Sequence, residues 1–172
     1  MPIYALGHQE PDIHPDAYVH PDAVIIGSVV IGADSSVWPT AVLRGDDGQI
    51  IVGERTSIQD GTIVHTTVFH PTRIGNDCTI GHNVHLEGCT IEDKALVGSG
   101  AVVLNEAVIG AEAVVGACAL VPNRKVVPAG AMALGVPVTI KLDAVEPGWF
   151  DLGKDSYVHR ARRYRTDLRR LD

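Results

Sequence analysis

The sequence predicts an all-β solenoid carrying one C-terminal α-helix. Three observations lead there. Aliphatic residues recur every six positions over most of the chain, Gly and other small residues punctuate that repeat, and residues 155–171 switch to helical spacing. A period of six fits neither the helical nor the alternating-strand pattern, but it suits a coil whose flat sides each take six residues. Three such sides close one turn in about 18 residues, and the inward aliphatics then stack on those of neighbouring coils at the interstrand spacing of ~4.8 Å.

The first unbroken run is Ile13, Val19, Ile25, Ile31, Val37 and Leu43. The register resumes as Val52, Ile58 and Val64, then Ile74, Ile80 and Leu86, then Ile91, Val97, Val103, Ile109, Val115, Val121 and Val127. The step from Leu43 to Val52 gains three residues, that from Val64 to Ile74 gains four, and that from Leu86 to Ile91 loses one. Insertions in a solenoid leave as loops, the longest here over 66–73. A chance pattern in a Val-rich sandwich would not keep its register through three interruptions. Gly, Asn and Asp suit the tight corners between sides. After Pro137 the repeat stops, and Tyr157, Ala161, Tyr164, Leu168 and Leu171 form one helical stripe, opposite Arg160, Arg162, Arg163, Arg165, Arg169 and Arg170. The expected organisation is a single domain, 1–172, with the solenoid over 10–135 and a helix over 155–171 packed on the coil exterior.

Composition bounds the function. At 172 residues the chain has room for one core. It is 45% apolar and 20% charged, too apolar for disorder and too interrupted by charge for a membrane span. The net charge is −7, yet residues 154–172 carry seven basic and three acidic side chains, which leaves −11 on residues 1–153. A basic helix resting on an acidic body accounts for that asymmetry. No aromatic stacking set accompanies the arginines, so neither nucleic acid nor a membrane is an expected partner. Cys78, Cys89 and Cys118 are odd in number, lack metal-binding spacing, and are expected as buried thiols. The opening MPIYALGHQEPDIHP has no basic and apolar leader pattern, which points to the cytoplasm.

The register also aims the histidines. A side chain next to an inward aliphatic faces outward, because a strand alternates. His65 follows Val64, while His85 precedes Leu86 and Glu87 follows it, so all three face out. Val64 and Leu86 are 22 residues apart, one coil plus the four-residue insertion, which stacks Glu87 on His65. His82 lies two residues past Ile80, around a corner. A threefold assembly would bring the face of one subunit to the corner of the next, joining His65, His82 and Glu87 about a metal with a fourth position for water.

These residues resemble a known family. The hexad pattern is similar to that of hexapeptide-repeat, left-handed parallel β-helix proteins. Leu43-Arg44-Gly45-Asp46, Ile58-Gln59-Asp60-Gly61 with His65 behind it, Gly81-His82 and Gly88-Cys89-Thr90 resemble the γ-class carbonic anhydrases. The resemblance implies left-handed coiling, a homotrimer, and reversible hydration of CO2 to bicarbonate at a metal between subunits. It makes His65 and His82 ligands of Zn2+, with Fe2+ or Co2+ as substitutes. It makes Gln59 a hydrogen-bond partner of the attacking hydroxide, pairs Arg44 with Asp60 across the interface, and has Asp46 hold the arginine.

One departure falls on the metal. The family's third ligand is a histidine, and Glu87 stands there. His85 is displaced by two strand rises, roughly 6–7 Å, and would substitute only after a backbone shift. A His2Glu set binds zinc, but its carboxylate makes the centre less positive and its water less acidic. The expectation is hydration weaker than in a three-histidine relative, or none. Strongly active members also carry acidic loop residues for proton export. Here Asp47 stands where a longer Glu is found, and His70 is a relay or a plain loop residue. Two alternatives stand beside the leading reading: a catalytically inactive trimeric metal-binding or scaffold protein, and a CoA-dependent hexapeptide acyltransferase.

Overall fold

The computed structural model describes residues 2–172 and is a parallel β-solenoid with three flat sides. The first side stacks Tyr18–Val19, Ser36–Val37, Ser57–Ile58, Thr79–Ile80, Leu96–Val97, Val114–Val115 and Met132–Leu134. The second side is built from the first halves of Val24–Ile31 and Val42–Val52, then Ile63–His65, His85–Glu87, Val102–Val103 and Leu120–Val121. The third side begins at Asp12–Ile13 and takes the second halves of the two long strands. It continues through Thr72–Ile74, Thr90–Ile91, Val108–Ile109 and Val126–Val127. Thr139–Lys141 folds back antiparallel on Met132–Leu134 and covers the last coil, which shields an otherwise open edge.

The repeat aliphatics fill the centre. Every position of the six-residue register except Ile13 is buried, and Ile13, at the open first coil, still packs against that core. All three register irregularities land on the corner between the second and third sides. Opposite Gly27 to Val29, the neighbouring strand runs from Gly45 to Ile50, so its extra residues bulge outward after Arg44. Gly27 has φ +74°, and a Cβ there would lie 2.4 Å from the Gly45 carbonyl oxygen, so only glycine fits that approach.

Not every corner is a Gly, Asn or Asp. Arg55, Lys94 and Glu112 have φ of 52°, 60° and 58°, in one column with Asp34 and Asp77. Charge alternates up that column. Arg55 donates to Asp77 from Nε and Nη2, both at 2.8 Å, and Lys94 donates to Glu112 at 3.4 Å. The Arg55 hydrogen bond, working against burial, holds the Asp77 carboxyl below the usual carboxylate range. Its unfolded value is ~3.9. The pair's stabilisation is therefore complete above about pH 4 and is lost as pH falls through the depressed folded value. Asp77→Asn is expected to cost about 1 kcal/mol at pH 7 and to flatten the fall in urea midpoint between about pH 5 and pH 3.

The helix, α1, spans Asp151–Asp167, so it starts and ends four residues earlier than the stripe over 155–171 implies. Tyr157, Ala161 and Tyr164 pack on Tyr18 and Trp38 of the first side. The Trp38 indole donates to Ser57 Oγ at 2.9 Å. Arg162 pairs with Asp34, Arg165 with Asp16 and Lys154 with Asp77, so the basic tail does rest on acids of its own solenoid. Leu168 and Leu171 lie past the helix end and are 46% and 83% exposed, because the aromatic seat ends at Tyr164.

One cysteine departs from expectation. Cys78 and Cys89 are buried, but Cys118 is exposed, because three residues past Val115 the chain is at a corner with φ 56°. Burial pushes the Cys78 and Cys89 thiols up to about 12, leaving both protonated at neutral pH and unsuited to ligating or attacking. Among the described residues no helix is long and apolar enough to cross a membrane.

Candidate metal centre

The second side carries the site residues as a row. Arg44 pairs in register with His65, and His65 with Glu87, on three successive coils. Their neighbours Leu43, Val64 and Leu86 are fully buried, which turns the row outward. His85 pairs with Ile63 and Val102, so Glu87, and not His85, stands level with His65.

The bulge after Arg44 returns a carboxylate to that row. Asp46 accepts a hydrogen bond from Arg44 Nη1, and its Oδ1 lies 3.2 Å from His65 Nε2. Burial works to raise the Asp46 carboxyl, but the hydrogen bonds of Arg44, its own backbone and His65, with the arginine's charge, outweigh it and hold Asp46 below the ordinary range. Asp46 is thus ionised at neutral pH. It ties the arginine to the imidazole.

His82 sits at the corner between the first and second sides, stacked on Asp60 of the previous coil, and its Nδ1 lies 3.0 Å from Asp60 Oδ2. Within one chain Asp60 lies against His82, and the pairing with Arg44 that the resemblance implies is one between subunits. The two residues are 22 apart, the same coil-plus-four spacing as His65 and Glu87, so that arithmetic would have found the contact. Gln59 precedes Asp60 and is buried at 3% exposure, between Trp38 and Gly81 in the stack. His70 points to Glu106 of a following coil, 3.9 Å away. Asp47 donates its backbone N–H to Asp46 Oδ1 at 3.1 Å.

Among the described residues, no group of three or more His, Cys, Asp or Glu side chains of one chain is placed to hold a metal ion. His65 and Glu87 stand together, and His82 is around the corner. The donor chemistry nonetheless fits a divalent cation. Each imidazole keeps one ring nitrogen against an aspartate, the arrangement that orients metal-ligating histidines, and has its other nitrogen without a partner among the described residues. Glu87 Oε2 is likewise held, 3.2 Å from His85 Nε2.

Residues 10–45 and 71–105 match the family described as bacterial transferase hexapeptide (six repeats). A Methanocaldococcus jannaschii protein named "Probable carbonic anhydrase" is 46% identical over 134 residues, 78% of this chain and 84% of that one. The mitochondrial gamma carbonic anhydrase 1 of Arabidopsis thaliana is 44% identical over 101 residues, which is 55% of this chain but 37% of that longer protein. A Bacillus cereus crystal structure described as a candidate acetyltransferase superposes with a TM-score of 0.93 at 32% identity, covering 96% of this chain and 98% of that one. The superposition takes in every coil and shows the fold, and the identity near one half with a protein matched over most of its length shows the family: the chain belongs to the γ-carbonic anhydrase-like hexapeptide-repeat proteins, which are left-handed β-helices.

Proposed function

We propose that this chain forms a homotrimer that hydrates CO2 reversibly to bicarbonate at metal centres shared between neighbouring subunits. The row Arg44, His65, Glu87 on one face, with His82 at the next corner, is the observation that supports it. His65 and Glu87 of one subunit and His82 of the next are the proposed ligands. Zn2+ is the proposed ion, and Fe2+ or Co2+ also suits two imidazoles and a carboxylate. When bound, the ion would supply a water more acidic than bulk water, though less so with Glu87 among the ligands than with a third imidazole.

The chain's own residues do the rest. Asp46 and Asp60 accept from the two imidazoles and fix their rings. Arg44, tied to Asp46, places a cationic guanidinium beside the row, where bicarbonate's charge develops. Gln59 offers an amide to orient the attacking oxygen. Protein purified with Zn2+, with Co2+, or anaerobically with Fe2+ is expected to hold about one ion per chain and to accelerate CO2 hydration in stopped-flow, with chelation abolishing the rate. Stoichiometric metal without turnover would make the protein an inactive metal-binding trimer instead. A second reading, acyl transfer from CoA, draws on the 32% identical Bacillus cereus structure. Calorimetric titration with acetyl-CoA separates it, since the carbonic anhydrase reading expects no binding.

A further inference from the structure

Glu87 and His85 are two residues apart on one strand and flank the inward Leu86, so both project from the same outer face. His85 Nε2 lies 3.2 Å from Glu87 Oε2. Along its own row His85 has only the aliphatic neighbours Ile63 and Val102. Its polar partner is therefore the carboxylate, and both side chains are partly withdrawn from solvent, at 36% and 27% exposure. A glutamate on an open strand face turns about three bonds and can offer a cation one oxygen or two. One held at Oε2 has lost that choice.

We propose that His85 is a positioning residue for Glu87. It donates Nε2–H to Oε2, holds the carboxylate rotamer beside His65, and leaves Oε1 alone to meet a divalent cation, so that a coordination position stays open for water. This rests on the metal-centre reading above. It also explains why a histidine stands in an otherwise aliphatic row, at the level where the neighbouring position carries a carboxylate.

The test compares the full-length protein with His85→Ala, His85→Gln, Glu87→His and the double variant His85→Ala/Glu87→His. Zn2+ affinity is read by competition with a chromophoric chelator, Co2+ geometry by the visible spectrum, and folding by circular dichroism. His85→Ala is expected to weaken Zn2+ binding about 10–100-fold, the range for losing an orienting partner. Its Co2+ bands should weaken too, because a freed carboxylate chelates through both oxygens and raises the coordination number. His85→Gln, which keeps an N–H donor, should stay within about threefold of the wild type. In the Glu87→His background, His85→Ala should change affinity by less than about threefold. Unchanged affinity and spectrum in His85→Ala, or equal losses in both backgrounds, overturns the positioning role and leaves the metal centre standing. A wild type that binds neither Zn2+ nor Co2+ overturns the metal centre itself, and this role with it.

Discussion

Trimers assembled from equal amounts of His65→Ala and His82→Ala chains are expected to regain about one quarter of the wild-type metal sites, although neither variant alone holds metal tightly. The fraction follows from geometry. His65 and Glu87 lie on a flat side and His82 lies on a corner of the same chain, and among the described residues no group of three such side chains is gathered about either. A complete centre then needs the side of one subunit and the corner of its neighbour. In a random mixture, a seam has an intact side in about half of cases and an intact corner in about half, giving about one quarter. The variants would be mixed in mild denaturant, returned to native buffer, checked for trimer mass by light scattering, and assayed for bound Zn2+. A centre assembled within one chain predicts no recovery at all. Recovery of about one half, with one of the two variants alone keeping its metal, would mean that one of the two histidines is not a ligand.

That experiment depends on features legible in the sequence. A solenoid converts long-range contacts into fixed spacings, so residues one coil apart are as readable as neighbours on a strand. Arg44 to His65 is 21 residues, a coil plus the three-residue bulge, and His65 to Glu87 is 22, a coil plus four; both are in register. What the spacing does not encode was read less well. For Asp60 and His82 the same arithmetic gives the shared corner, and the folded chain adds the contact between carboxylate and imidazole. Cys118 sits in a small, apolar stretch that looks like core, but its place is a turn with φ 56°, where the side chain points away from the centre. The helix ends escaped for a related reason. The apolar stripe sets the face of α1, whereas its extent is set by where Tyr18 and Trp38 offer a seat and by Lys154, Arg162 and Arg165 finding Asp77, Asp34 and Asp16.

Glu87→His is expected to raise CO2 hydration at about pH 7.5 by roughly tenfold or more, and to move the midpoint of the pH–rate profile down by about one unit. A carboxylate ligand cancels one of the ion's two positive charges, and a neutral imidazole cancels none. The formal charge of the ion with its ligands therefore rises from +1 to +2, which favours the ionised form of the water it binds. One unit of acidity is about 1.4 kcal/mol, a factor of ten in the fraction ionised when the working pH lies below the midpoint. The backbone is ready for the exchange, since position 87 is paired in register with His65 and its side chain already faces out. His85, relieved of a carboxylate to hold, has no part in the gain. Stopped-flow rates from about pH 6 to pH 9, normalised to bound metal, give the midpoint separately from occupancy. A wild type already as fast as the variant, with the same midpoint, would show that Glu87 does not ligate the ion and that its charge never reaches the reacting water.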